Sequence, residues 1–433
     1  MTSPPNSIPS PEESSAEQCG LLPVDLSAQL SAQLPARSSA ELSAQLPARS
    51  SAELSAQLPV ELPAQFAHLR RFALDGALLL FDRDTGLNVL CEGEETAHLK
   101  QTAPRMVQFA ITNSCNLACT FCSRDIKSNS DWTIDEAFTL LAELSHYGLL
   151  EVAFGGGEPW IFPGFAELVC RLYDETPLAV NFTTNGLALT TEDLVAIKGK
   201  YGQLRLSLYD DNDWRKMVAM LAREKARFGV NYLVTPERLK TLETTILELC
   251  ELGCRDILLL SYNGYDQDMH LSKEANSTLS GTIKLMAAAL KGRCQIKLGV
   301  CWGEQMQSVP RLFNKADCGA GREFLVITSD KKIQPCSFHQ VALPVQTAAD
   351  VMNIYNKRRS ELESAALMPG CSRENHADHW ARAEREYESI AAKAEESESK
   401  EEEEEEEEAA AESEAAKEEG NEAAAIQRPG GQA

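Results

Sequence analysis

The chain of 433 residues is long enough for two or three domains, and with 43% hydrophobic residues it can bury a sizeable core. Its net charge of −24 is gathered at one end. Sixteen Glu against two Lys between Glu395 and Glu422 carry −14, and the remaining −10 is ordinary acidity that offers no nucleic-acid surface. The first twenty residues lack the basic and apolar regions of a secretory signal, and no run of eighteen apolar residues is present to span a membrane. Thirteen cysteines without an export signal point to reduced thiols or metal ligation, so the expectation is a cytoplasmic protein.

In chain order, residues 1–65 are of low complexity. The dodecad LSAQLPARSSAE at Leu30–Glu41 repeats identically at Leu42–Glu53, and a third copy from Leu54 decays. A Pro in every unit and an apolar face of Leu and Ala alone argue for a duplicated, disordered spacer rather than a stacked solenoid. Residues 66–105, with FALDGALLLFDRDTG, predict a strand–turn–strand leader that packs on the next domain, or that takes up a peptide by strand addition. Then β-rich runs alternate with helix-period segments: MVQFAIT (106–112), LEVAFG (150–155), LAVNFTT (178–184), LRLSLY (204–209), VNYLVT (230–235) and DILLLS (256–261). Thr133 and Glu136 form a capping box at the first helix.

Six βα units predict an α/β fold, a partial (β/α)6 TIM-like barrel over residues 106–310. A small cysteine-containing extension follows at 311–383, and disordered tails flank the whole. The last of them, 384–433, is Glu/Ala-rich and solvated. Barrel chemistry belongs at the C-terminal ends of the strands.

Directly after MVQFAIT comes ITNSCNLACTFCSRD, with Cys115, Cys119 and Cys122 on the loop leaving the first strand. Three thiolates on a loop can wrap an iron–sulfur cube and leave one iron open to a ligand. A structural zinc site needs a fourth Cys or His close by, and neither His98 nor His146 stands at zinc-type spacing. The second strand ends in Gly155-Gly156-Gly157-Glu158-Pro159, where glycines permit close backbone approach to a ligand and a carboxylate can accept from an ammonium. The third ends in Thr183-Thr184-Asn185-Gly186, and the fourth carries Ser207.

The order of these features resembles the radical S-adenosylmethionine (SAM) enzymes. CNLACTFC is similar to their Cx3Cx2C signature, with Phe121 as the aromatic before the last Cys, and GGGEP is similar to their GGEP segment. The resemblance spans roughly residues 105–310. It implies that Cys115, Cys119 and Cys122 hold a 4Fe-4S cluster whose open iron chelates the amino and carboxylate groups of SAM. Gly156, Gly157 and Glu158 then hold the SAM amino group, and Asn185 and Ser207 touch its ribose and carboxylate. Reductive cleavage of SAM gives methionine and a 5′-deoxyadenosyl radical that takes a hydrogen atom from substrate. An electron donor such as flavodoxin or ferredoxin is implied as a partner. No catalytic residue of the protein is assigned.

Downstream, CGAGREFLVITSDKKIQPCSFH (318–339) predicts a hairpin bringing Cys318 near Cys336, and Cys371 follows in MPGCSREN. The pattern resembles the start of the SPASM or shorter twitch extension, which implies one auxiliary 4Fe-4S cluster on Cys318, Cys336 and Cys371. The fourth position is open among Cys301, His376, His379 and substrate. Cys170, Cys250 and Cys254, on helix-period segments, fit buried apolar packing instead. Trp160 and Trp302 fit a cavity wall or, more commonly, core packing. Tyr209, Asp210 and Asp211 fit a ligand contact or a solvated turn. The resemblance implies a peptide or protein substrate undergoing post-translational modification. A small-molecule dehydrogenase and a non-enzymatic iron–sulfur redox protein are the alternatives.

Overall fold

Apolar residues alternate in MVQFAIT so that Val107, Phe109 and Ile111 are fully buried while Gln108 and Ala110 are half-buried. That alternation gives a strand with one face under helices and the other toward a cavity. The same logic builds most central strands of the computed structural model, which describes residues 68–125, 127–210, 212–306 and 317–373. The N-terminal repeats, Asp211, His376, His379 and the acidic tail lie outside the described residues. The chain divides into two units, Met1–Thr102 and Ala103–Ala433.

In the first unit β1 (Arg70–Leu74), β2 (Ala77–Phe81) and β3 (Asn88–Glu92) form an antiparallel sheet in that order. Asp75 and Gly76 make the tight loop between β1 and β2, with Gly76 at φ +82° in the left-handed region that favours glycine. The segment after β3 folds back on this loop: Gly76 N donates to Leu99 O at 3.0 Å, and Thr96 Oγ1 donates to Gly76 O at 2.9 Å. Leu69, Leu78, Leu80 and Leu99 form the small core. The expected strand–turn–strand is present, with β3 as an added third strand.

The second unit is built on a ten-stranded sheet. Its parallel strands are β4 (Met106–Thr112), β5 (Glu151–Gly156), β6 (Ala179–Thr184), β7 (Leu204–Ser207), β8 (Phe228–Val234), β9 (Asp256–Ser261) and β10 (Gln295–Leu298). They lie side by side in chain order, as a partial barrel requires, and the ladder ends at β10 without closing. On the other side of β4 comes β11 (Phe324–Ile327), also parallel, then β12 (Lys332–Gln334) and β13 (Leu343–Pro344), both antiparallel. The downstream hairpin is therefore β11–β12, and its first strand joins the main sheet by pairing Phe324 with Met106.

Helices α1 (Ile134–His146) and α2 (Phe165–Glu175) show how the outer layer forms. The capping box at Thr133 and Glu136 starts α1, and Ala137, Leu140, Leu141 and Leu144 are buried at helix spacing. Phe165, Leu168, Val169 and Leu172 do the same for α2. Full burial of each such Leu, Val or Phe contributes about 1.5–3 kcal/mol. No helix among the described residues is long and apolar enough to cross a membrane.

Candidate functional site

The cysteine loop leaves β4 at Thr112 and is tied at its root. Asn113, buried, donates through Nδ2 to Asp125 O at 2.7 Å and Ser128 O at 2.6 Å, and its N–H reaches Ser130 Oγ at 2.8 Å. One side chain thus joins the two ends of the loop. The Arg124 guanidinium donates to Asn113 O. Within the loop Cys122 N donates to Cys119 O at 3.1 Å, and the three thiols, none of them in a disulfide, are at least partly exposed.

The end of β5 grips the same root. Gly157 N donates to Thr112 O at 2.7 Å, and Glu158 N to Ser114 O at 2.9 Å. A Cβ at Gly157 would lie 1.8 Å from Ser114 O; one at Gly156, where φ is +100°, would lie 2.6 Å from Thr112 O. These two glycines permit close approach of backbone to the cysteine loop. Of the three consecutive glycines, Gly155 alone has room for a Cβ, which would meet nothing within 4 Å. The Glu158 carboxylate, nearly inaccessible, accepts from Thr184 Oγ1 at 2.7 Å, Asn185 N at 2.7 Å and Trp160 N at 3.2 Å. Burial raises its pKa above the usual range and the three hydrogen bonds oppose that shift. Glu158 therefore braces β6 against β5, and both its oxygens are engaged by the protein.

Asn185 brings β6 to the cysteines: its Nδ2 lies 2.7 Å from Asn116 Oδ1 and 3.9 Å from Cys115 Sγ. Asn212 then fastens β6 to β7, donating to Asn185 O at 2.6 Å and Ser207 O at 2.8 Å while its Oδ1 accepts from Tyr209 N at 3.0 Å. Tyr209 stacks near Phe121 with ring centroids 5.4 Å apart. Burial pushes the Tyr209 phenol up to about 12, with further contributions from neighbouring Cys119, Cys122 and Cys115, so it is neutral.

These groups enclose a chamber of about 290 Å³ lined by Cys115, Cys119, Cys122, Gly155–Glu158, Asn185, Ser207 and Tyr209. Asn231 Oδ1 and Ser261 Oγ, on β8 and β9, line it too, and each is buried without a hydrogen-bond partner among the described residues. A second chamber, of about 580 Å³, adjoins it and extends to β11, β12 and the residues after Cys336. Ser123, Arg124, Gly155, Gly156, Thr183 and Phe338 border both.

Comparison with known proteins bears on this site. Residues 109–218 match the model of the Radical SAM superfamily. This segment of the chain belongs to the radical SAM superfamily. The chain is 31% identical over 149 residues to GTP 3′,8-cyclase of Chlorobaculum tepidum, a match covering 33% of this chain and 44% of that one. It is 37% identical over 94 residues to PqqA peptide cyclase of Bradyrhizobium diazoefficiens, covering 21% and 24% respectively. The chain thus spans less than half the length of either relative. Among solved structures, Streptococcus suis SuiB bound to S-adenosylmethionine superposes with a TM-score of 0.54 at 14% identity, covering 68% of this chain and 89% of that one. At that identity the likeness establishes the shared fold.

A radical SAM domain takes a 4Fe-4S cluster and SAM, and the residues present fit both. The chamber has three thiols outside any disulfide at one end, open space at Gly155, and orphaned polar atoms on Asn231 and Ser261 that a polar ligand would satisfy. Its volume, together with that of its neighbour, is on the scale of ligand pockets, about 300–1,000 Å³.

The second set of cysteines also gathers. Burial first, then Cys318, Cys336 and Cys371, push the Cys301 thiol up to about 12, so the four thiols are electrostatic neighbours. Burial likewise pushes Cys336 up to about 11, with Cys318 and Cys371 adding to it. No three His, Cys, Asp or Glu side chains among the described residues converge on a single metal ion. A four-iron cube differs, because it takes each thiolate at a separate corner. Arg373 anchors the surroundings, donating to Asp317 Oδ1 at 2.8 Å and Ala320 O at 2.7 Å beside Cys318 and Cys371.

Three other expectations are decided by packing. Trp160 packs edge to face with Phe165 and Phe182, ring centroids 5.2 and 5.5 Å away, and Trp302 is buried with Nε1 donating to Leu259 O at 2.9 Å. Cys250 and Cys254 are buried in the core, whereas Cys170 is half-buried. Tyr209 lines the chamber while Asp210 is exposed. Asn113, Arg124, Asn212 and Arg373 carry no sequence signature of their own. An Asn in the polar run after β7 was the one available hint.

Proposed function

We propose that the chain is an enzyme that cleaves SAM reductively and abstracts hydrogen from a peptide or protein substrate, modifying it. In this proposal Cys115, Cys119 and Cys122 hold the cluster, and Gly156, Gly157, Glu158, Asn185 and Ser207 form the SAM site. Residues 106–310 are the radical SAM core, and residues 311–383 an auxiliary-cluster extension with Cys318, Cys336 and Cys371 as ligands. Cys301, half-buried, is the fourth ligand, supported by the electrostatic influence that Cys318, Cys336 and Cys371 exert on its thiol. Residues 66–105 are the leader.

The observation that carries the reading is the common wall between the two chambers. A group lodged in the larger one faces, across Gly155 and Thr183, the chamber that holds the cysteine loop. With both cofactors bound, the chemistry supplied there is one-electron cleavage of SAM followed by hydrogen-atom abstraction. The protein's own residues fix the geometry. Asn113 and Arg124 set the loop, Glu158 and Asn212 lock the strand ends, and neutral Tyr209 and Phe121 limit water. PqqA peptide cyclase among the relatives supports a peptide substrate, as does the SuiB fold, also solved bound to its precursor peptide SuiA.

The test is anaerobic incubation of reconstituted, reduced protein with SAM and candidate precursor peptides from neighbouring genes. A 2 Da or other defined mass change in a peptide, with 5′-deoxyadenosine, is expected on the scale of a single hydrogen pair lost. A small-molecule substrate is the second reading, favoured by the identity to GTP 3′,8-cyclase. It gains if 5′-deoxyadenosine forms and every peptide is unchanged.

A further inference from the structure

We infer that Arg124 is a specificity residue of the larger chamber, holding a carboxylate of the substrate where the two chambers meet. The inference deepens the proposed function and rests on its assignment of the larger chamber to substrate. Arg124 lies two residues beyond Cys122 and borders both chambers. Its guanidinium makes one hydrogen bond among the described residues, from Nη1 to the Asn113 carbonyl. Its Nε is buried with no partner among them.

A guanidinium has five N–H donors in a rigid fork. With Nη1 taken by backbone, the edge formed by Nε and Nη2 is left, and that edge presents the two parallel donors that a carboxylate accepts side by side. The bond to Asn113 also fixes the head beside the cysteine loop, so the fork is positioned before any ligand arrives.

No carboxylate among the described residues occupies that edge. Asp330 in the same chamber pairs with Lys332 at 2.6 Å and accepts from Thr328 Oγ1 at 2.5 Å. Asp125 accepts from Lys127 N at 2.9 Å and Ser128 Oγ at 3.0 Å within its own turn. In the smaller chamber Glu158 is engaged by Thr184, Asn185 and Trp160. A buried guanidinium N–H without an acceptor is costly, and an acidic side chain or chain terminus of a substrate supplies the missing acceptor.

The test uses the full chain, reconstituted and saturated with SAM. Phenylglyoxal modification of Arg124 is followed by peptide mapping, with propionate as the probe and with propionamide and sodium chloride as controls. Propionate is expected to slow modification of Arg124 by about threefold or more, as occupancy of a site does, while neither control slows it. The inference is overturned if propionate gives no protection, if chloride protects equally, or if Arg124 does not react at all. It is also overturned if SAM alone abolishes the reaction, because the carboxylate held is then that of SAM. Formation of 5′-deoxyadenosine by the same preparation separates the two readings. Cleavage without propionate protection defeats this inference alone, and protection without cleavage defeats the proposed function.

Discussion

Gly157 and Gly155 stand two residues apart, yet the structure gives them opposite roles. In Gly157→Ala the new methyl would lie 1.8 Å from Ser114 O and 2.6 Å from its carbonyl carbon, both backbone atoms at the root of the cysteine loop. Relief requires β5 and the loop to part, which strains the bonds from Gly157 N to Thr112 O and from Glu158 N to Ser114 O. Two such bonds contribute about 0.5–1.5 kcal/mol each, and overpacking costs about 1–3 kcal/mol, so the expected loss is about 2–6 kcal/mol. In Gly155→Ala the methyl meets nothing within 4 Å and enters the chamber, so stability should stay within about 0.5 kcal/mol while SAM binds less tightly. Urea unfolding of both variants, with iron per chain after reconstitution and SAM affinity, separates the cases. A Gly157→Ala protein with wild-type unfolding midpoint and full iron would refute the reasoning, as would a Gly155→Ala protein with unaltered SAM affinity.

Asn212→Ala removes three hydrogen bonds and leaves two strand-end carbonyls without donors, so a loss of about 2–4 kcal/mol in urea unfolding is expected. At Asp256 burial pushes the carboxyl pKa up, but Arg205 and Lys297 outweigh it and hold it below the usual value. A depressed pKa contributes stability above the unfolded value of about 3.9 and loses it as pH falls through the folded one. Asp256→Asn should therefore be less stable than wild type at neutral pH, with the deficit shrinking below about pH 4 in acid titration of unfolding. The proposed two clusters call for roughly eight irons per wild-type chain, so Cys301→Ala should hold measurably fewer irons than the wild type, whereas Cys250→Ala, altering a thiol buried in the core, should keep the wild-type content.

The central strands were legible because each pairs an alternating buried set, such as Val152 with Phe154 or Val180 with Phe182, with a turn at either end. The strand at Gln295–Leu298 was not: QIKL is half exposed and offers no apolar run. Nor was the pairing of Phe324 with Met106, since partners so distant in sequence leave no local trace. Cysteine spacing marked the loop, but spacing does not separate Gly155 from Gly156 and Gly157, which differ only in what a Cβ would meet. Arg124 was invisible for the same reason, and Asn212 showed only as an Asn in the polar run after β7. Each acts through backbone carbonyls that only the fold brings within reach.

The most direct measurement is of 5′-deoxyadenosine from iron-replete, reduced protein supplied with SAM, compared with Cys119→Ala. The account predicts 5′-deoxyadenosine and methionine from the wild type and neither from the variant. Iron-replete wild type that leaves SAM intact, or a Cys119→Ala protein that still cleaves it, would contradict the account.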